Sequence, residues 1–356
     1  MIDANFWRGK RVFISGHTGF KGSWLSLWLT SMGARVFGYA LAPPTTPALY
    51  TEARVGELIE SEIGDVCDAA ALSSSIHAFR PEIILHMAAQ PLVRASYSNP
   101  VGTYATNVMG TVHLLEAARH TPCIRAIVVV TTDKCYENQE WEWGYRESEP
   151  MGGHDPYSNS KGCAELVTDA YRRSFFAATD TAVGSARAGN VIGGGDWADD
   201  RLIPDILKAF SVGETAIVRN PNAIRPWQHV LEPLSGYLRL AEALYKTGQD
   251  AARPWNFGPF DEGARPVSWI TEQMSAMWGE GARWEILNDS KQPHEATYLK
   301  LDISRARAFL NWSPTWTLQQ TLHRIVQWQR GWLNHSDTRQ LCLDEITAFC
   351  ASRKDD

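Results

Sequence analysis

The chain has 356 residues, 44% hydrophobic and 21% charged, with a formal net charge of −6; that length suits one large α/β unit with a smaller lobe, and the acidic balance presents no basic field to nucleic acid. Its longest apolar stretches are far shorter than the ~20 residues a membrane span needs, and Met1 leads into polar residues without a signal-peptide pattern. Six cysteines (Cys67, Cys123, Cys135, Cys163, Cys342, Cys350) lack a Cys-x-x-Cys pair, so reduced thiols in the cytoplasm are expected, with no metal site, no nucleic-acid partner and no membrane.

Lys10 to Ser15 reads as a buried strand feeding Gly16-His17-Thr-Gly19-Phe20-Lys21-Gly22 and then a helix with apolar residues at Trp24, Leu25, Trp28 and Leu29. Gly16 permits the tight turn, Gly19 lets backbone approach a pyrophosphate, and Gly22 allows close helix packing, while the helix N-terminus offers N–H groups to phosphate. The spacing is Gly-x-x-Gly-x-x-Gly, and its place between strand and helix points to dinucleotide binding, with Phe20 in the same turn. The second strand, Ala34 to Ala40, runs into Leu41-Ala42-Pro43-Pro44 without the acid that often holds an adenosine ribose. NAD and NADP both stay open on that ground, and His17 and Lys21 are candidates to meet phosphate charge. Gly64-Asp65-Val66 ends a third strand, placing Asp65 and Val66 beside an adenine or, equally, on the surface. Glu82 to Gln90 is a fourth strand whose small Ala88 and Ala89 let a flat cofactor lie near the backbone. Leu92 to Pro100 reads as a loop carrying Arg94, and Tyr104 to Arg119 as a helix interrupted by a polar Asn107.

The β-branched run Ala126 to Thr131 suggests a strand buried on both faces, delivering Thr132, Asp133 and Lys134 to the rim where open α/β sheets bind ligands. Pro156 sets a helix start, and Ala164, Val167, Ala170 and Tyr171 continue at helical spacing. Tyr157 and Lys161 then share a face. An ammonium about one turn from a phenol favours the phenolate, making a usable base near neutral pH. Cys135 and Cys163 flank this centre and are read as packing residues.

Val183 to Arg187 is a further strand, and Gly193-Gly194-Gly195 marks backbone that bends or approaches a ligand. Arg187, Asn190, Arg201, Arg219 and Arg225 are candidates for a diphosphate, because guanidinium forks match phosphate oxygens; the plain alternative is surface or structural ion pairs. Pro233 to Tyr245 reads as a helix, Trp255 to Gly258 as a strand returning to the sheet, and Lys291 to Tyr298, with His294 and Tyr298, as a loop over a substrate. The chain is helical again from Ser304, breaks at Trp312-Ser-Pro314, and resumes over Leu318 to Leu333; Trp24, Trp28, Trp328 and Trp332 fall at packing positions. The expected architecture is α/β, a Rossmann-type doubly wound parallel sheet with a smaller C-terminal substrate-binding lobe. Residues 1–189, with returning segments at about 229–257 and 301–333, form the dinucleotide-binding domain; 190–228 and 258–300 form the lobe; 334–356 form a helical tail.

Gly16-x-x-Gly19-x-x-Gly22, Thr132-Asp133-Lys134, Tyr157-x-x-x-Lys161 and Arg225-Pro-Trp-Gln-His229 together resemble the extended short-chain dehydrogenase/reductase family over most of the chain. Arg187-Ala-Gly-Asn190-Val-Ile-Gly-Gly-Gly-Asp-Trp197 with Asp200-Arg201-Leu202-Ile-Pro204 is similar to the branch that dehydrates CDP-glucose. The resemblance implies NAD as cofactor, CDP-glucose as substrate with Leu202 among its contacts, and a homodimer or dimer of dimers. It implies that Tyr157 takes the sugar 4-hydroxyl proton as C4 is oxidised, with Thr132 on the 4-oxygen and Lys161 on the nicotinamide ribose. The 4-ketone acidifies C5–H, Asp133 protonates the departing 6-hydroxyl, and the hydride returns to C6. Related dTDP-sugar dehydratases carry Glu where Lys134 stands, so Lys134 is either the C5 base or a charge that stabilises the enolate. The alternatives are a nucleotide-sugar 4-epimerase, a dehydratase for another nucleotide sugar, and a non-catalytic dinucleotide binder.

Overall fold

The computed structural model describes residues 2–287 and 298–352. The apolar runs form one parallel sheet from β1 (Arg11–Ser15), β2 (Arg35–Ala40), β3 (Glu60–Ile63), β4 (Ile83–His86), β5 (Ala126–Val130), β6 (Ala182–Arg187) and β7 (Pro254–Asn256), in the order β7-β6-β5-β4-β1-β2-β3. The strand order reverses between β1 and β4, which opens the crevice that α/β sheets use for ligands. Successive strand residues serve opposite faces: on β5, Ala126, Val128 and Val130 join one core while Ile127 and Val129 join the other. This is why β5 shows a continuous apolar run rather than alternation.

One face carries α1 (Phe20–Ser31) and the other α2 (Ala69–Phe79), α3 (Gly110–Arg119) and α4 (Pro156–Tyr171). Pro156 occupies the first turn of α4, and the Asp155 carboxylate caps it by accepting from Ser158 N at 2.9 Å. A second core joins α5 (Leu202–Ser211) and residues such as Ala216, Val218 and Trp227 to α6 (Val267–Trp278). Leu318, Leu322, Ile325 and Val326 of α7 (Leu318–Leu333) pack into that second core, whereas Trp328 of the same helix packs under the sheet. The last helix, α8 (Thr338–Ser352), presses Cys342, Ile346 and Phe349 into the sheet-side core. Among the described residues no helix is long and apolar enough to cross a membrane.

Two local expectations are corrected. Val93–Ser98 is a helical turn rather than a loop, because Ser96 is buried and its hydroxyl bonds back to Val93 O at 2.6 Å. Of the three glycines, Gly194 meets an indole and not a ligand: a Cβ there would stand 2.2 Å from the Trp328 ring, while Gly195 bends the chain at φ 79°.

A buried polar seam ties β1 to β4 and α3. The Ser15 hydroxyl shares a 2.7 Å hydrogen bond with His86 Nδ1, His86 Nε2 lies 3.2 Å from Thr111 Oγ1, and Thr111 donates to Asn107 O at 2.8 Å. Burial holds His86 well below its ordinary value, at about 3, with the Lys161 charge adding to the effect. His86 therefore stays neutral when folded but protonates near pH 6.5 when unfolded, so its share of stability is present above pH 6.5 and is lost as pH falls toward 3. His86→Gln removes that share: between pH 7 and pH 5, urea unfolding of the variant is expected to lose roughly 2 kcal/mol less than the parent. Equal losses in the two proteins would show that His86 does not titrate this way.

Candidate active site

At the C-terminal rim of the sheet a cavity of about 500 Å³ is lined by Gly16, Gly19, Phe20, Lys21 and Gly22 from the glycine turn, by Leu41 and Ala42 beyond β2, and by Asp65, Val66, Ala88 and Ala89 beyond β3 and β4. Tyr157 and Lys161 close its inner end. Gly16 holds φ 84°, and a Cβ on Gly22 would stand 2.1 Å from Gly16 O, so α1 enters close beneath the turn with no side-chain cap on its first N–H groups. A rim of free N–H groups, small residues and a cavity of this size fits a dinucleotide. His17 departs from expectation. It turns away from the cavity beneath Gly38 and meets Ser61 Oγ at 2.7 Å, and burial lowers it to about 4, so it carries no charge to offer a phosphate. Lys21 does face the cavity; it donates to Tyr237 OH at 3.0 Å, and burial with the Lys161 and Arg201 charges brings it down to about 7.

The end of β5 places the reacting groups. Thr132 Oγ1 donates to Asp133 Oδ1 at 2.9 Å and also reaches the Tyr157 phenol. Asp133 is fully out of water, and its Oδ2 has no hydrogen-bond partner among the described residues. Burial raises its carboxyl above the ordinary value, opposed by the Lys134 charge and the Thr132 hydroxyl. Burial thus shifts Asp133 toward its protonated form and leaves Oδ2 unpartnered among the described residues. The room comes from Gly189, where a Cβ would stand 1.8 Å from Asp133 Oδ2. The Tyr157–Lys161 expectation needs correcting on one point: burial pushes the Tyr157 phenol up to about 12, against the Thr132 hydrogen bond and the Arg201 charge. Lys161 instead donates to Val130 O at 3.2 Å, and its own burial lowers it to about 8. In this state desolvation outweighs the neighbouring cation.

A second cleft of about 340 Å³ begins at Thr132, Asp133, Lys134 and Tyr157 and runs into the lobe. Arg94, Asn190, Arg201, Leu202, Arg219 and Arg225 line it, as expected. Three of the cations are held by acids: Arg201 by Asp196 at 2.8 Å, Arg219 by Asp200 at 2.8 Å and Asp205 at 3.3 Å, and Arg94 by Asp200 at 3.6 Å. Arg187 does not belong here. It lies behind β5, ion-paired with buried Glu165 at 2.8 Å. Tyr298 is also away from the cleft, its hydroxyl donating to Glu142 O at 3.3 Å, and His294 lies outside the described residues. Reading the sequence missed Gly189 as the space for Asp133 and Asp196 as the partner of Arg201; only Asp196, an acid directly after three glycines, carried a visible signal.

Residues 13–325 match the family of GDP-mannose 4,6 dehydratase. The chain belongs to that family. Among its relatives, CDP-glucose 4,6-dehydratase of Salmonella typhimurium is 59% identical, with 99% of each chain covered. The fold is shared with UDP-glucose 4-epimerase of Thermotoga maritima (TM-score 0.77, 18% identity, 91% and 99% covered). It is shared also with dTDP-glucose 4,6-dehydratase of Bacillus anthracis solved with NAD (TM-score 0.75, 20% identity, 93% and 100% covered). For this member of the GDP-mannose 4,6-dehydratase family, Gly22→Ala pushes α1 off the turn, and dinucleotide affinity measured by tryptophan fluorescence is expected to fall at least about tenfold. Unaltered affinity would remove the glycine cradle as the binding element.

Proposed function

We propose that the protein is an NAD-dependent CDP-glucose 4,6-dehydratase that forms CDP-4-keto-6-deoxyglucose. The observation that carries the reading is Asp133: a buried, raised carboxyl with one oxygen unpartnered among the described residues, at the end of the second cleft beside Tyr157, which lines both cavities. The high identity to the Salmonella typhimurium enzyme supports CDP-glucose over GDP-mannose as substrate. A bound nicotinamide supplies hydride acceptance from C4 and hydride return to C6.

The chain's residues supply the proton work. Tyr157 accepts the 4-hydroxyl proton, and the Thr132 hydroxyl holds the 4-oxygen. Lys161 holds the nicotinamide ribose, and its charge beside a ligand-covered phenol favours the phenolate. Asp133 gives its proton to the leaving 6-hydroxyl, while Lys134 either takes the C5 proton or stabilises the enolate. Arg94, Arg201, Arg219 and Arg225 with Asn190 and Leu202 receive the diphosphate and nucleoside, the partly exposed ion pairs of Arg94 and Arg219 exchanging one anion for another at little cost.

The dinucleotide unit of residues 1–189 with its returning segments and the lobe of 190–228 and 258–300 are proposed as the two halves that meet at this junction. Unpaired thiols support a cytoplasmic setting. Exposed Val101, Met109, Leu166 and Phe175 on the helices near α3 and α4 support pairing of two copies through that face. Sedimentation at micromolar concentration should give a dimer or a dimer of dimers, and a monomer would exclude it.

Incubation with NAD and CDP-, dTDP-, UDP- and GDP-glucose is expected to give a base-sensitive 4-keto chromophore with CDP-glucose and no lasting NADH. A folded protein that forms none would end the reading. Asp133→Asn should cost turnover at least about 10²-fold. If a 4-epimer forms and survives that change, the enzyme is an epimerase. Gly189→Ala, which intrudes on the same carboxylate, should lower turnover by a similar factor with KM nearly unchanged.

A further inference from the structure

The pair that removes Arg187 from the cleft is placed where it bears on the chemistry. Glu165 stands on α4 one turn beyond Lys161, with 5% of its surface exposed. Its carboxylate accepts from Thr131 Oγ1, from Ser185 Oγ at 2.7 Å and from Arg187 Nη2 at 2.8 Å. Thr131 directly precedes Thr132 and Asp133. On its other side Arg187 donates to Tyr136 OH at 2.7 Å and to Glu147 O at 3.2 Å, and Tyr136 follows the catalytic turn of Asp133 to Cys135. One ion pair therefore grips the segment just before and just after the acid, and holds both to the helix that carries the phenol. Lys161, bonded to Val130 O, makes the preceding rung of the same ladder.

We propose that Glu165, with Arg187 as its counter-ion, is a positioning residue that registers the Tyr157 helix against the Asp133 turn, setting the phenol-to-carboxyl spacing for successive oxidation and elimination. Neither side chain lines either of the two cavities described above, so binding of substrate there is not their task. Stability is not a sufficient reason either. A buried ion pair is often no better than well-packed apolar residues of the same volume, while three directional hydrogen bonds fix rotation and translation as an apolar contact does not. Removing one partner alone leaves a buried charge unanswered, so the informative change removes both.

The inference rests on the dehydratase reading and is tested on the full chain with NAD and CDP-glucose. The double variant Glu165→Met with Arg187→Met is expected to melt within a few degrees of the parent and to keep KM within about twofold, while kcat falls by roughly 10²-fold. Because the acid and the phenol lose their common register, elimination slows more than oxidation, and enzyme-bound reduced nicotinamide builds up in the steady state. A folded double variant with parental kcat and no such build-up overturns the proposal. Should the double variant fail to fold, Thr131→Val decides: it frees the turn from Glu165 but keeps the ion pair, and should lower kcat about tenfold while the melting temperature falls by only a few degrees. Unchanged kcat in that variant likewise overturns it. A parent that forms no 4-keto sugar refutes the dehydratase reading itself, whereas a working parent with equally working variants refutes only the positioning role.

Discussion

The site depends on keeping one carboxyl group out of water with an oxygen left unanswered. A buried polar atom without a partner costs on the order of 1–3 kcal/mol, so the surrounding structure has to hold Asp133 in place against relaxation. It does so by ending β5, whose five residues are all buried, directly before the catalytic turn. Gly189 contributes space and Thr132 contributes a hydrogen bond to Oδ1. The consequence is chemical: burial that would be a defect elsewhere raises the carboxyl above its ordinary value and leaves Oδ2, beside Gly189, without a hydrogen-bond partner among the described residues.

The same desolvation governs the groups around it. Phe20, Lys21, Tyr157, Asp196 and Arg201 line both cavities, so the dinucleotide and the sugar are expected to meet across a wall only one side chain thick. Water is scarce there, and Lys21, Lys161 and Tyr157 all shift toward their neutral forms. Farther out, where Arg94 and Arg219 remain partly exposed, cations keep their charge by pairing with aspartates. The cleft thus grades from a dry reacting end to a wet, charged end, the order required by a ligand with a neutral hexose at one end and a diphosphate further along.

Sequence patterns made the sheet readable wherever strands were short apolar runs flanked by polar residues: β1, β2, β4, β5 and β6 lie where those runs stand, and even the returning strand at Trp255 was visible. The glycine turn was equally legible because its constraint is steric and local. What was illegible is long-range. Arg187 looks like a phosphate ligand until its carboxylate partner, 22 residues away, is seen on the neighbouring helix. His17 sits in a phosphate-binding turn by sequence, yet its ring is drawn under Gly38, where the missing side chain of another strand leaves space. For Tyr157 the sequence exposes Lys161 but not the loss of water, which raises the phenol against the Thr132 hydroxyl and the Arg201 charge.

Lys134 has a consistent place in either of its roles. Its charge is the largest influence that opposes burial in setting the Asp133 carboxyl. In the proposed elimination a Lys134 cation would stabilise the carboxylate left once Asp133 has protonated the leaving oxygen, so burial raises the carboxyl beforehand and the cation eases its ionisation during the step. As a base, it gains a proton while Asp133 loses one, and the pair passes from two neutral groups to an ion pair with no change in total charge. A carboxylate in that position would conserve charge in the same way, from carboxylate beside acid to acid beside carboxylate. In both cases the dry pocket never has to hold an additional net charge, which is the expense a low-dielectric site most needs to avoid.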